Sequence, residues 1–185
     1  MRLEELIVRH CAPTLAGLKT GNLFSCQTED EEKLLADIRR VNRQFASRGI
    51  RLIPMEYREG RALIYMYRPQ KLKKDLSDKT ARRLLAAQNY PVSQESQCVA
   101  YLIRRLEIGT VFPHEIGLFL GYPPEDVEAF MKHGAAGAKY TGIWKVYGNV
   151  EAAKCKFARF KKCARVYDED FRKYHSLDRL IVSCS

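Results

Sequence analysis

The chain has 185 residues, 46% of them hydrophobic and 29% charged, with a formal net charge of +10. That size and balance suit one globular domain over residues 1–185 with a substantial core, and they exclude a disordered or fibrous chain. No apolar run approaches membrane-spanning length, and Glu4 and Glu5 interrupt the N-terminus where a signal peptide would be purely apolar, so a cytoplasmic protein with no membrane partner is expected.

Leu3, Leu6 and Ile7 predict a short amphipathic helix running into His10 and Cys11. Pro13 is expected to start a further helical turn, ended by Gly17 or Gly21, before a short strand over residues 23–26. On one helix His10 and Cys11 point about 100° apart, so they cannot pair with each other there. Either could pair with a distant residue such as His114. The periodicity over Glu29–Arg48 predicts a helix with an apolar stripe of Leu34, Leu35, Ile38, Val41 and Phe45, stopped by Gly49.

Residues 50–68 read as a β-hairpin turning at Glu59-Gly60. The returning strand is apolar on both faces, which predicts a central place in a sheet, while Pro54 sends the first strand to an edge. A helix capped by Ser77 is expected through Gln88, preceded by Lys71, Lys73 and Lys74. Another is capped by Ser93 and runs over about 94–107.

The most patterned stretch is Phe112–His133, FPHEIGLFLGYPPEDVEAFMKH. Pro113 suits a first helical turn, Ile116, Phe119 and Leu120 form an apolar face, and Gly121 stops the helix. Pro124 opens a second helix with Val127, Phe130 and Met131 inward. The result is a helix-turn-helix unit whose spacing matches DNA-reading examples. Its second helix places Glu125, Asp126 and Glu128 outward against Lys132 alone, and phosphates repel such a face. Nucleic acid is therefore disfavoured as a partner.

Gly134-Ala135-Ala136-Gly137 lacks the phosphate-cradle patterns. Residues 140–147 alternate and predict a strand carrying Trp144, the sole tryptophan. Asn149 is expected to cap the longest helix, an amphipathic C-terminal one with a seam from Val150 through Ala153, Phe157, Phe160, Ala164, Tyr167 and Phe171 to Tyr174. Lys154, Lys156, Arg159, Lys161, Lys162 and Arg165 cover its other sides. Residues 132–179 hold 12 Lys/Arg against 5 Asp/Glu. Residues 180–182 suggest a last short strand.

The six cysteines form no CxxC and no zinc spacing with histidine, so no metal site is expected, and reduced thiols are expected. Cys26, Cys98 and Cys155 are expected to be small buried residues. The fold class is α+β. A small antiparallel or mixed sheet is expected from the 50–68 hairpin and the 140–147 strand, with 23–26 as a further candidate, covered by helices.

HCAPTLAGLKTGNLF near the start, FPHEIGLFLGYPPEDVEAF in the middle, and GIWKVYG followed by FARFKKC resemble an uncharacterised bacterial family, the domain of unknown function DUF3793, found largely in clostridia and related anaerobes. The resemblance runs over nearly the whole chain and implies a small cytoplasmic protein of such bacteria, but no activity. Residues 135–139 depart from it, being Ala-Ala-Gly-Ala-Lys where a more polar stretch is expected.

Two functions compete. The first is a non-enzymatic binding or accessory protein engaging an acidic protein or anionic ligand, with Lys19, Trp144, Lys145, Lys154, Arg159, Lys161 and Lys162 as contact candidates. The second is an enzyme or cofactor binder in which His10, Cys11, His114 and Glu115 supply nucleophile, base or ligand chemistry. No particular cofactor is indicated. A DNA-binding regulator is the third, disfavoured reading.

Overall fold

The computed structural model describes residues 2–109 and 111–183. In chain order the elements are α1 (Leu3–Leu15), β1 (Gly21–Gln27), α2 (Glu31–Phe45), β2 (Arg51–Arg58), β3 (Arg61–Tyr67), α3 (Pro69–Leu76), α4 (Lys79–Ala87), α5 (Glu95–Ile108), α6 (Ile116–Phe119), α7 (Pro124–His133), β4 (Tyr140–Thr141), β5 (Lys145–Val146) and α8 (Val150–Tyr174). They form two compact units. The first is Met1–Gln70 with Lys162–Ser185, and the second is Lys71–Lys161.

In the first unit the sheet is antiparallel, in the order β1-β3-β2. β3 is central, as its run of apolar residues on both faces requires. Ala62, Ile64 and Met66 join the helices' core on one face, while Tyr65 and Tyr67 stack at 4.7 Å on the other. The hairpin turns at Glu59 and Gly60, both with positive φ (51° and 71°), the geometry that matches strand twist in two-residue loops. β2 is an edge strand, broken by a bulge between Pro54 and Glu56. Asn42 of α2 closes part of that edge, donating from Nδ2 to the Leu52 carbonyl (2.7 Å) and accepting from the Leu52 N–H (2.8 Å). Such pairing blunts an open edge.

α1 continues through Pro13 rather than restarting there. The missing N–H falls near the helix end, opposite the carbonyl of the exposed Arg9, where water can serve. α2 is capped by Asp30, which accepts from the Lys33 N–H, and the chain leaves its end through Gly49 at φ 70°. Residues 180–182 form no strand. A 3-10 turn spans Asp178–Leu180, and Val182 then donates to the Leu15 carbonyl. Leu177, Leu180 and Ile181 sink into the core made by α1, α2 and the sheet.

In the second unit the 71–88 region holds two helices where one was expected. Pro69 begins α3, which carries Lys71, Lys73 and Lys74. Ser77 closes α3 by donating to the Lys74 carbonyl, and Asp78 is the true cap of α4, accepting from Thr80 N and Ala81 N. Both are capping residues, and a carboxylate is the stronger acceptor for two N–H groups. The expected strand 140–147 is instead a small hairpin, β4-β5, forming its own two-stranded sheet. The cause is Gly142. Its backbone lies against the Phe157 ring, where a Cβ would fall 2.2 Å from a ring carbon. The third strand of the main sheet is therefore β1, the 23–26 candidate.

α6 is a single turn starting at Ile116, later than Pro113 suggested, because residues 113–118 close with tight i→i+3 bonds. With Gly121 at φ 74° and α7 it makes the helix-turn-helix-like unit. Gly117 allows close packing, since a Cβ there would meet Val127 at 2.9 Å. α8 runs 25 residues, with Asn149 Oδ1 accepting from Ala152 N at its start. Ala153, Phe160 and Phe171 of its seam are buried, while Tyr174 is exposed.

Candidate functional site

His10 and Cys11 leave α1 in different directions, one to the surface and one to the core. His10 is exposed and stacks on Phe24 at 5.8 Å. Partial burial, with Arg9 adding to it, lowers its pKa from the ordinary value. Cys11 is 0% exposed, and burial pushes its thiol up, away from the reactive thiolate. The unexpected neighbour is Lys19, only 5% exposed, whose Nζ donates to the Gly21 carbonyl at 2.7 Å. Thr14 Oγ1 and Asn22 Oδ1 meet nearby at 2.7 Å.

Burial draws the Lys19 ammonium down to about 8, with Cys11 opposing slightly. Below that value the amine is charged in folded and unfolded chains alike. Between about 8 and its ordinary 10.5 the unfolded chain holds a proton that the folded chain has released, so this residue makes stability rise with pH across that window. The stability difference between wild type and Lys19→Met, from urea denaturation at a series of pH values, should therefore move in favour of wild type between about pH 8 and 10.5. A flat difference would show that Lys19 is not desolvated in the folded chain.

His114 and Glu115 belong to the second unit. His114 is exposed, with its ring edge-on to Phe130 at 5.0 Å. Glu115, 2% exposed, accepts from the Tyr90 hydroxyl (2.9 Å) and pairs with Arg105 (3.2 Å), which also reaches Gln88 Oε1. Burial, and next the Glu115 charge, push the Tyr90 hydroxyl well above its ordinary value. This is a buried charge network with all members satisfied, the form in which such networks stabilise.

Asp126 corrects an expectation. It is not on an exposed acidic face but 3% exposed. Its Oδ2 accepts from Trp144 Nε1 (2.9 Å), and its Oδ1 accepts from the N–H groups of Tyr147 (2.8 Å) and Gly148 (2.9 Å). Trp144 is thus buried, wedged between Tyr122 and Phe157. Glu128 is held by Arg83 (2.8 Å) and Lys132 (2.6 Å), whose hydrogen bonds keep its carboxyl well below the usual carboxylate range. The face of α7 that would meet DNA thus offers Glu125 and a neutralised Glu128, with Lys132 already engaged.

Lys145 donates to Thr141 Oγ1, and Lys154 lies over the Tyr140 ring and pairs with Glu151. Lys156, Arg159, Lys161 and Lys162 are exposed on α8 and have no ion-pair partner among the described residues. Cys155 stands among them, exposed rather than buried, because it falls off the stripe of Ala153, Phe157 and Phe160. Cys11, Cys26, Cys98 and Cys163 are buried free thiols, and Cys184 lies outside the described residues. Gly134 and Gly137 face open space.

Sequence reasoning missed Arg68, 1% exposed at the end of β3. It donates from Nε to the Thr14 carbonyl and from one terminal nitrogen to the carbonyls of Leu15 and Val182, each at 2.7 Å. Its signal was a charged residue closing a strand apolar on both faces. Also missed were Arg2, Arg9 and Arg172, which with Arg165 form the pairs Arg2/Arg9 and Arg165/Arg172 lining one cleft of the first unit. Their signal was readable, since each pair is seven residues apart on a helix with an acid three residues after the first.

Fold and sites define an α+β protein with a helix-turn-helix-like unit, a long basic helix and satisfied buried charges. Among the described residues it has no cluster of metal-ligating side chains and no helix long and apolar enough to cross a membrane. The family model described as "Protein of unknown function (DUF3793)" matches residues 7–181, and the chain belongs to that family. No curated protein and no solved structure matches it.

Proposed function

We propose that the protein is a non-enzymatic binding or accessory protein of the bacterial cytoplasm, engaging an acidic partner or anionic ligand. The observation that carries this reading is the first half of α8, where Lys154, Lys156, Arg159 and Lys161 are all exposed against the single acid Glu151. Such a surface raises the local concentration of anions and steers their approach. The enzyme reading has less support, because Cys11 and Glu115 are sealed in packed interiors and the exposed His10 and His114 have aromatic rather than polar neighbours.

A fluorescent polyglutamate peptide tests it. Binding should weaken at least tenfold from about 0.1 M to about 1 M salt, as the Debye length falls from about 10 Å to about 3 Å. The triple variant Lys156→Gln/Arg159→Gln/Lys161→Gln should bind at least tenfold more weakly at low salt. Equal binding by variant and wild type, or none by either, sinks the reading.

A further inference from the structure

We propose that the cleft of the first unit between α1 and the end of α8 is a binding site for a phosphorylated small molecule of nucleotide size. The cleft has a volume of about 670 Å³, within the range of small-molecule sites. Its floor is apolar, formed by Val8, Ala164 and Phe171, of which Val8 and Phe171 are also part of the core. Its walls are cationic. Arg2 and Arg9 stand on the α1 side, Arg165 and Arg172 on the α8 side. Each pair is seven residues apart, two helical turns, which spaces the side chains about 10 Å along the axis.

The carboxylates in the walls repeat as well. Glu5 follows Arg2 by three residues and pairs with it at 3.2 Å, while Asp168 follows Arg165 by three and pairs with Arg172 at 2.8 Å. Arg165 turns to Glu169 at 3.2 Å. Each pairing occupies one nitrogen of a guanidinium that offers five N–H donors, so donors remain on every arginine. Arg9 has no ion pair or hydrogen bond among the described residues. Four guanidiniums against two lining carboxylates select an anion and reject a metal ion. The planar fork fits phosphate oxygens two at a time.

The end of the cleft carries an independent mark. His175 closes α8 with its N–H on the Phe171 carbonyl and φ 49°, a left-handed position that glycine or asparagine usually fills. A histidine held there is a conformational cost of the kind that collects at ligand sites. Its ring stands edge-on to Phe171 at 6.2 Å and lines the cleft. An aromatic wall above an apolar floor suits a planar ligand body, with the phosphate chain running along the arginines.

This site shares only the sign of the ligand's charge with the function proposed above, and it uses other residues. ATP without divalent metal is the probe, with pyrophosphate as the bodiless comparison, both titrated calorimetrically into the full chain. ATP should bind about tenfold more tightly than pyrophosphate, because only ATP reaches the floor. Arg9→Gln/Arg172→Gln should weaken ATP at least tenfold, while Lys156→Gln/Arg159→Gln/Lys161→Gln leaves it within twofold. All five positions are exposed, and circular dichroism confirms that the variants fold. No ATP binding at millimolar concentration, equal affinity for ATP and pyrophosphate, or loss with the α8 triple variant but not with the double variant each overturns the proposal. The last result would leave the polyglutamate reading standing.

Discussion

Replacing Arg68 with alanine should cost the fold about 3–5 kcal/mol, a large share of the 5–15 kcal/mol typical of a domain. The guanidinium ties three separate stretches together, since its partners are the carbonyls of Thr14 and Leu15 at the end of α1, Val182 near the chain end, and Arg48 after α2. Thr14 and Leu15 keep backbone partners in Gly17 and Val182. The loss therefore comes from weakened acceptors, the cavity left by a long buried side chain, and release of the segment around Val182. Arg68→Lys keeps the charge but not the planar fork, and should recover less than half. Urea denaturation followed by far-UV circular dichroism measures both. A change below about 1 kcal/mol for the alanine variant would mean that the carbonyls find water without the arginine.

Asp126→Ala should destabilise the second unit by about 3–4 kcal/mol, because it strands the indole N–H of Trp144 and two backbone N–H groups in a buried place. Asp126→Asn is informative by its asymmetry. Its carbonyl oxygen can keep the Tyr147 and Gly148 donors, but its amide then faces the indole N–H donor to donor, so the loss should be about 1–3 kcal/mol. Trp144 is the sole tryptophan, so the unfolding midpoint followed by its emission, with a red shift in the folded variant, reads the change directly. Unchanged emission and midpoint in Asp126→Ala would show that the carboxylate does not hold the 144–148 segment.

Much of the architecture was legible because it rests on local chemistry. The apolar run over residues 62–67 announced a central strand, the Glu59-Gly60 pair a tight turn, and the three-four spacing of α8 its buried stripe. Places where two residues compete for one role were not legible. Ser77 and Asp78 are both capping residues, and the choice lay in which reaches two N–H groups. Residues 140–147 alternate like a strand, yet the bend at Gly142 is dictated by Phe157, distant in sequence. The candidate residues were chosen by type, and type does not show burial. Nothing local says that Lys19 and Asp126 turn inward while His10 and His114 stay out. Those directions depend on tertiary surroundings, the packing around Cys11 that buries Lys19 and the Trp144 indole that Asp126 meets.

The first unit is assembled from residues on both sides of the second, which imposes an order on synthesis. At roughly 5–20 residues per second, the ribosome needs on the order of ten seconds to pass from the end of β3 to the segment that Arg68 and the α1 core await. During that interval residues 71–161 can complete their own core, while α1, α2 and the sheet still lack the cover that Phe171, Leu177, Leu180 and Ile181 bring to theirs. The nascent chain's oldest core is thus the last to be closed.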